Sequence, residues 1–233
     1  TAANYFAQKV MHGTPADRDR YLGVLRAGGS DYGYNLLKGG GLDMATAEPY
    51  RLIVDSFSKV LDQAEALVAS LEGAAATMLF ASGQAAAGAV FQALAPGDCV
   101  LAPHKMYWAL RKWLLEFAVP WGLRVEGYEN TSLDDLAAKA RQRRPRLIWI
   151  ETPANPTWDI TDIAAASEIG REVGAIVAVD STAATPMLTR PIELGAQIVM
   201  HSATKYLNGH SDVIAGALAC AQNDEFWQRV RYV

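Results

Sequence analysis

Five short polar clusters carry the residue types that chemistry needs, and each follows an apolar stretch. They are Ser82-Gly83-Gln84, residues 104–107 ending in Tyr107, residues 151–155 from Glu151 to Asn155, residues 180–182, and residues 201–206. An apolar run, a glycine and a helix start in that order offer free N–H groups to an anion, so Gly83 and Gln84 can cradle a phosphate. No GK[ST] and no G-x-G-x-x-G is present there, which separates this stretch from nucleotide and dinucleotide loops. Asp180 closes an apolar run and is followed by the small residues Ser181 and Thr182. A carboxylate in that place needs a partner, because burying an unpaired charge is costly. The partner is either a local cap or turn, or the protonated ring nitrogen of a cofactor that acts as an electron sink.

Lys205 lies between Thr204 and Tyr206 after another apolar run. It is either an exposed lysine near a turn, or a buried amine of lowered pKa able to join an aldehyde as a Schiff base. If its segment is extended, Ser202 and Thr204 share a direction and both hydroxyls can face one anion. Tyr107 can stack on a planar ligand or belong to a packed helix. His104, His201 and His210 form no metal set, and His201 reads as a structural histidine. Trp108, Trp113, Trp149 and Trp158 read as packing residues. The two cysteines, Cys99 and Cys220, have neither metal-site spacing nor the number for a disulfide framework.

These clusters serve one site only if a sheet brings them to one edge. Apolar, β-rich runs at 76–81, 99–102, 124–128, 146–151, 175–180 and 197–201 predict strands, and helical stretches at 84–94, 107–117, 133–141 and 162–173 separate them. A βαβ series of this kind predicts a mostly parallel sheet between helices, with ligands beyond the carboxyl ends of the strands. Ahead of it, residues 50–71 predict one long amphipathic helix ending at Glu72-Gly73. The first 48 residues, with their run Gly39-Gly40-Gly41, read as an N-terminal arm and loops, leaving 49–233 as the large domain.

Composition bounds the rest. The chain of 233 residues is 51% hydrophobic and 20% charged, which suits a globular protein and excludes a disordered one. A net charge of −4 argues against nucleic acid as a partner. No apolar run approaches the ~20 residues of a membrane span, and TAANYFAQKV lacks a secretory pattern. A cytoplasmic protein with no membrane partner is the expectation.

The run Asp180-Ser-Thr-Ala-Ala-Thr-Pro186, followed by His201-Ser-Ala-Thr-Lys-Tyr-Leu-Asn-Gly-His-Ser-Asp-Val213, resembles the signature of the Cys/Met-metabolism enzymes dependent on pyridoxal phosphate. These are relatives of cystathionine γ-synthase, cystathionine lyase and methionine γ-lyase. Similarity runs from about Leu71 onward and takes in Leu71-Glu72-Gly73, Ser82-Gly83-Gln84, Gly97-Asp98 with Tyr107, and Glu151-Thr-Pro-Ala-Asn-Pro156. The resemblance implies an α/β fold of the type I, aspartate aminotransferase-like kind, with a mostly parallel seven-stranded sheet. It implies that Lys205 carries pyridoxal 5'-phosphate, Asp180 pairs with the pyridinium nitrogen, and Gly83, Gln84, Ser202 and Thr204 hold the phosphate. Tyr107 stacks on the ring, Asn155 lies near the phenolic oxygen, and Lys205 and Tyr107 shuttle protons.

The reaction implied is elimination or replacement at the β or γ carbon of a sulfur-containing or O-acylated amino acid. An aminotransferase or desulfurase on the same fold, or a cofactor-binding fragment or partner subunit, is the alternative. The resemblance also implies a homo-oligomer, a dimer of dimers, and a small C-terminal domain that this chain lacks. Departures from the family pattern mark a divergent subgroup. Ile53-Val54-Asp55 and Ser58-Lys59-Val60 stand where relatives carry Tyr-Ser-Arg-x-x-Asn-Pro-Thr, Gln84 stands where Met is frequent, and Ser181-Thr182-Ala183 replaces Asn-Thr-Phe.

Overall fold

Residues 2–233 are described by a computed structural model, and the chain divides into two compact units that part inside one helix, the first ending at Gln63 and the second spanning Ala64–Val233. The first unit is helical: α1 (Ala2–His12), α2 (Pro15–Ala27), α3 (Gly33–Gly39) and the start of α4 (Glu48–Glu72). This corrects the reading of these residues as loops. Thr14 caps α2 by accepting from the Asp17 amide, while the Asp17 carboxylate accepts from the Thr14 amide at 2.8 Å. With Pro15 at the first helical position this is a strong start signal carried by only four residues. Tyr5, Phe6 and Leu42 form the small core of this unit.

The second unit alternates strands and helices in the order foreseen. The elements are β1 (Ala76–Phe80), α5 (Gly83–Gln92), β2 (Cys99–Pro103), α6 (Trp108–Trp113), α7 (Val119–Trp121), β3 (Arg124–Tyr128), α8 (Leu133–Arg143) and β4 (Leu147–Glu151). There follow α9 (Ile163–Val173), β5 (Ile176–Asp180), α10 (Thr185–Leu188), β6 (Ile198–His201), β7 (Gly216–Cys220) and α11 (Glu225–Tyr232). A π-helical turn, Leu114–Ala118, joins α6 to α7. Among the described residues no helix is long and apolar enough to cross a membrane.

One seven-stranded sheet runs in the order β1-β7-β6-β5-β4-β2-β3. All neighbours are parallel except those of β7, which is antiparallel to both β1 and β6. β1 therefore points the same way as β6, so β1, β2, β4, β5 and β6 end at the same edge. β7 was not read from the sequence: Gly-Ala-Leu-Ala-Cys is short, and its small side chains give no β-branched signal.

Strand alternation sends side chains to two faces. Ala102, Trp149, Ala178, Met200 and Leu218 pack with α5 and α11 on one face, and Ile148, Ile150, Val177 and Val179 pack with α8 and α9 on the other. The alanine-rich α5 approaches the sheet closely, and Phe91 stacks obliquely on Trp149 with ring centroids 4.9 Å apart. At the end of α4, buried Glu72 meets buried His201 of β6 at 2.5 Å, which bears out the structural reading of that histidine.

Two glycines let three elements converge. A Cβ on Gly83 would lie 2.7 Å from Ser202 Cβ, and one on Gly216 would lie 2.2 Å from Ser82 O and 2.9 Å from Gly83 N. The Gly216 contact is with backbone, which has no rotamer to yield. The Gly216→Ala variant should therefore lose about 1–3 kcal/mol in denaturant unfolding. A midpoint equal to that of the parent would contradict this packing.

Candidate active site

The carboxyl ends of β1, β2, β4, β5 and β6 open into one cleft of about 1120 Å³. Gly83, Gln84, Tyr107, Asn155, Asp180, Ser202, Thr204 and Lys205 all line it, so the eight residues that the resemblance assigns to the cofactor reach the same cavity. At one side stands the start of α5. Ser82 accepts from the Ala85 amide at 3.1 Å, and the Ala86 amide closes the first helical bond to Ser82 O. That leaves the N–H groups of Gly83 and Gln84 unpaired among the described residues, where the helix dipole favours an anion. The Gln84 side-chain oxygen Oε1 is buried and has no partner either.

At the back of the cleft two acids sit side by side. Glu151 ends β4, Asp180 ends β5, and the two are register partners on adjacent parallel strands. They share parity with Trp149 and Ala178, so both carboxyls face the α5 side of the sheet. Glu151 is 5% exposed and Asp180 7%. Asp180 Oδ1 accepts from the Thr182 amide at 3.0 Å, and Thr182 Oγ1 accepts in turn from the Ser202 amide at 2.8 Å. A chain of short bonds thus ties the acid on β5 to the segment after β6.

Burial lifts the Asp180 carboxyl above the usual range, against the opposing pull of its bonds to Thr182 and the nearby His201. Burial first, and the negative charge of Asp180 second, push Glu151 up to about 7, against the two amides that it accepts from. Among the described residues no cationic side chain pairs with either acid.

Glu151 is the site residue that sequence reasoning passed over. Its Oε2 accepts from the Tyr107 amide at 2.6 Å and its Oε1 from the Asn155 amide at 2.9 Å. The available signal was the same as for Asp180, an acid as the last residue of an apolar run. Tyr107 itself stands at the N-terminus of α6, 41% exposed, with its ring at the cleft.

Of the two readings of Lys205, the structure has the exposed lysine near a turn: it lies at the cleft, where its amide bonds to Ser202 O. Two expectations need correction. Residues 203–208 form turns instead of an extended run, so the alternation argument for Ser202 and Thr204 does not apply. The Thr204 hydroxyl instead donates to Ala215 O at 3.1 Å and accepts from the Ala215 amide at 3.0 Å. Of the four tryptophans read as packing, Trp149 is fully buried, but Trp108 and Trp158 are 70% and 62% exposed, and Trp158 lines the cleft.

With this geometry in place, residues 57–233 match the family described as Cys/Met metabolism PLP-dependent enzyme. The chain belongs to this family. It is 42% identical over 158 residues to the chloroplastic cystathionine beta-lyase of Arabidopsis thaliana, across 68% of this chain and 34% of that protein. It is 42% identical over 162 residues to cystathionine gamma-synthase of Mycobacterium tuberculosis, across 69% of this chain and 41% of that protein. A crystal structure of cystathionine gamma synthase from Xanthomonas oryzae pv. oryzae in complex with cystathionine superimposes with a TM-score of 0.69 at 36% identity, covering 72% of this chain and 43% of that one. The chain thus spans less than half the length of these relatives.

The cofactor of this Cys/Met-metabolism family, pyridoxal phosphate, is a pyridine aldehyde bearing a phosphate, and the cleft fits its three demands. The free amides at the start of α5 and the Ser202 hydroxyl, all donors at the cleft, suit a phosphate. Two buried acids without a cation suit a protonated ring nitrogen, and Lys205 supplies an amine in the same cavity.

The raised acids set a pH dependence in the ligand-free chain. A carboxyl whose folded pKa lies above its unfolded value makes the folded state bind more protons, so stability falls as pH rises between the two values. For Glu151 that window runs from 4.5 to about 7. Thermal melts should show stability declining across it, and Glu151→Gln should flatten the slope. Parallel slopes for parent and variant would contradict the assignment.

Proposed function

We propose that this chain supplies the cofactor-binding part of a pyridoxal-phosphate enzyme that eliminates or replaces the β or γ substituent of a sulfur-containing or O-acylated amino acid. The observation that carries this reading is the pair of buried acids facing, across one cleft, a helix start with free amides and an exposed lysine. The relatives named above act within the same chemistry, as cystathionine lyase and cystathionine synthase.

Each residue then has a task. Gly83, Gln84 and Ser202 bind the phosphate, with Thr204 fixing the turn beside them through Ala215. Asp180, held by the Thr182 amide, keeps the ring nitrogen protonated. Tyr107 covers the ring and Asn155 flanks it. When bound, the cofactor supplies an electron-withdrawing ring that stabilises negative charge on the substrate's α carbon. Lys205 would hold the cofactor's aldehyde carbon, and its amine would take or give the proton at the substrate's α carbon. The Tyr107 hydroxyl serves a second proton transfer toward the leaving group.

Homo-oligomerisation and a cytoplasmic location belong to the same reading. Val54, Phe57, Val60 and Leu67 are exposed apolar residues of α4, and both cysteines are free and buried.

Protein mixed with pyridoxal phosphate should turn yellow, and borohydride treatment should leave a covalent adduct that mass spectrometry places on Lys205. Lys205→Ala should lose both signals. Asp180→Asn should weaken cofactor binding by at least about tenfold, the scale of a lost charge-assisted contact. The holoenzyme should release thiol and keto acid from cystathionine, or form thioether and free carboxylate from an O-acylhomoserine and cysteine. A colourless parent, or an adduct at another lysine, would overturn the assignment.

A further inference from the structure

We infer that Glu151 is a positioning residue of this site, a single buried carboxylate that clamps the Tyr107 and Asn155 segments from behind so that the ring cover and its flanking amide are set as one unit. The inference rests on the cofactor reading above and adds a residue to it.

The geometry is bidentate and joins two stretches of chain. Glu151 sits on β4, Tyr107 opens α6, and Asn155 lies four residues beyond Glu151 in the loop leading toward α9. Each oxygen of the carboxylate receives a different backbone amide, at 2.6 Å from Tyr107 and 2.9 Å from Asn155. Neighbouring bonds support the two loops without touching these residues. Lys105 donates its amide to Asn130 Oδ1 at 3.0 Å, and Thr161 donates its amide to Thr152 Oγ1 at 3.0 Å. Lys105 Nζ also donates to Asp159 Oδ2 at 3.0 Å, and Asn130 O accepts from the Thr161 hydroxyl at 2.8 Å, so the two loops are joined away from the cleft as well; among the described residues Glu151 alone accepts from both Tyr107 and Asn155.

A neutral acceptor could cap one amide at lower cost. A buried carboxylate beside Asp180 is the more expensive choice, as its raised pKa of about 7 records. What a carboxylate provides is two equivalent acceptors at fixed separation, which a glutamine cannot match: its amide nitrogen would confront one of the two N–H groups. The position in register with Asp180 ties this clamp to the acid assigned to the ring nitrogen. The ring cover, the flanking asparagine and the acid are therefore aligned by two adjacent strand ends.

The test uses the full chain and the near-isosteric variant Glu151→Gln. In the ligand-free protein, NMR amide exchange at Tyr107 or Asn155 should quicken by about tenfold to a hundredfold, the range of a hydrogen bond to a charged group. The Thr182 amide, bonded to Asp180, should be unaffected. With pyridoxal phosphate added, the variant should keep its Lys205 adduct, bind about tenfold more weakly and show an altered visible circular dichroism band. A merely structural role would lower the melting temperature and leave that band in place.

Should Glu151→Gln fail to fold, Glu151→Asp is read in the same way, since a side chain one methylene shorter cannot span both amides. Unchanged exchange at both amides, or unchanged affinity and dichroism, would overturn the inference while leaving the Lys205 assignment standing. Loss of the Lys205 adduct in the parent would remove the cofactor reading itself, and this inference with it.

Discussion

Two carboxyl groups buried on adjacent strand ends, with no lysine or arginine paired to them among the described residues, set the terms for the rest of this molecule. A fold that hides Glu151 and Asp180 from water accepts a cost that neither hydrophobic packing nor a local cap recovers. The hydrogen bonds around them are arranged accordingly. Asp180 takes one amide, Glu151 takes two, and every donor comes from a loop at the carboxyl edge of the sheet. The acids thus organise the loops, and a positive group entering the cleft would relieve the repulsion between them.

The scaffold can hold this arrangement because its elements approach unusually closely. α5 carries alanines toward the sheet, and glycine at positions 83 and 216 brings α5, the segment after β6 and the start of β7 within backbone contact. The anion-binding helix start is therefore fixed by packing rather than by side-chain reach. On the other flank, Phe91 against Trp149 and the Glu72–His201 pair anchor α5, β4, β6 and the end of α4 as one body.

How much of this was legible in the sequence depends on where each signal lived. Runs such as Leu-Ile-Trp-Ile-Glu on β4 and Ile-Val-Ala-Val-Asp on β5 announced buried parallel strands, and their terminal acids announced the site edge. Glu151 was written just as plainly as Asp180, yet its role depends on amides contributed by 107 and 155, which no local pattern reveals. The helices α1 to α3 were obscured by glycines, and their start signal at Thr14 and Asp17 is too short to outweigh weak periodicity. β7 was missed because a strand of glycine, alanine and cysteine is defined by its two neighbours rather than by its own residues. The commitment of Thr204 to Ala215 follows from a turn whose form the extended-chain argument did not foresee.

β7 runs against its neighbours, and this has an evolutionary consequence. The chain leaves β6 at the cleft edge and must return to that same edge to begin β7, so the excursion between them is closed like a purse at Thr204 and Ala215. Residues 206–214 belong to neither strand, and natural variation in their number could reshape the rim without shifting a single rung of the ladder. The lysine just inside the drawstring would keep its address while its surroundings diversify.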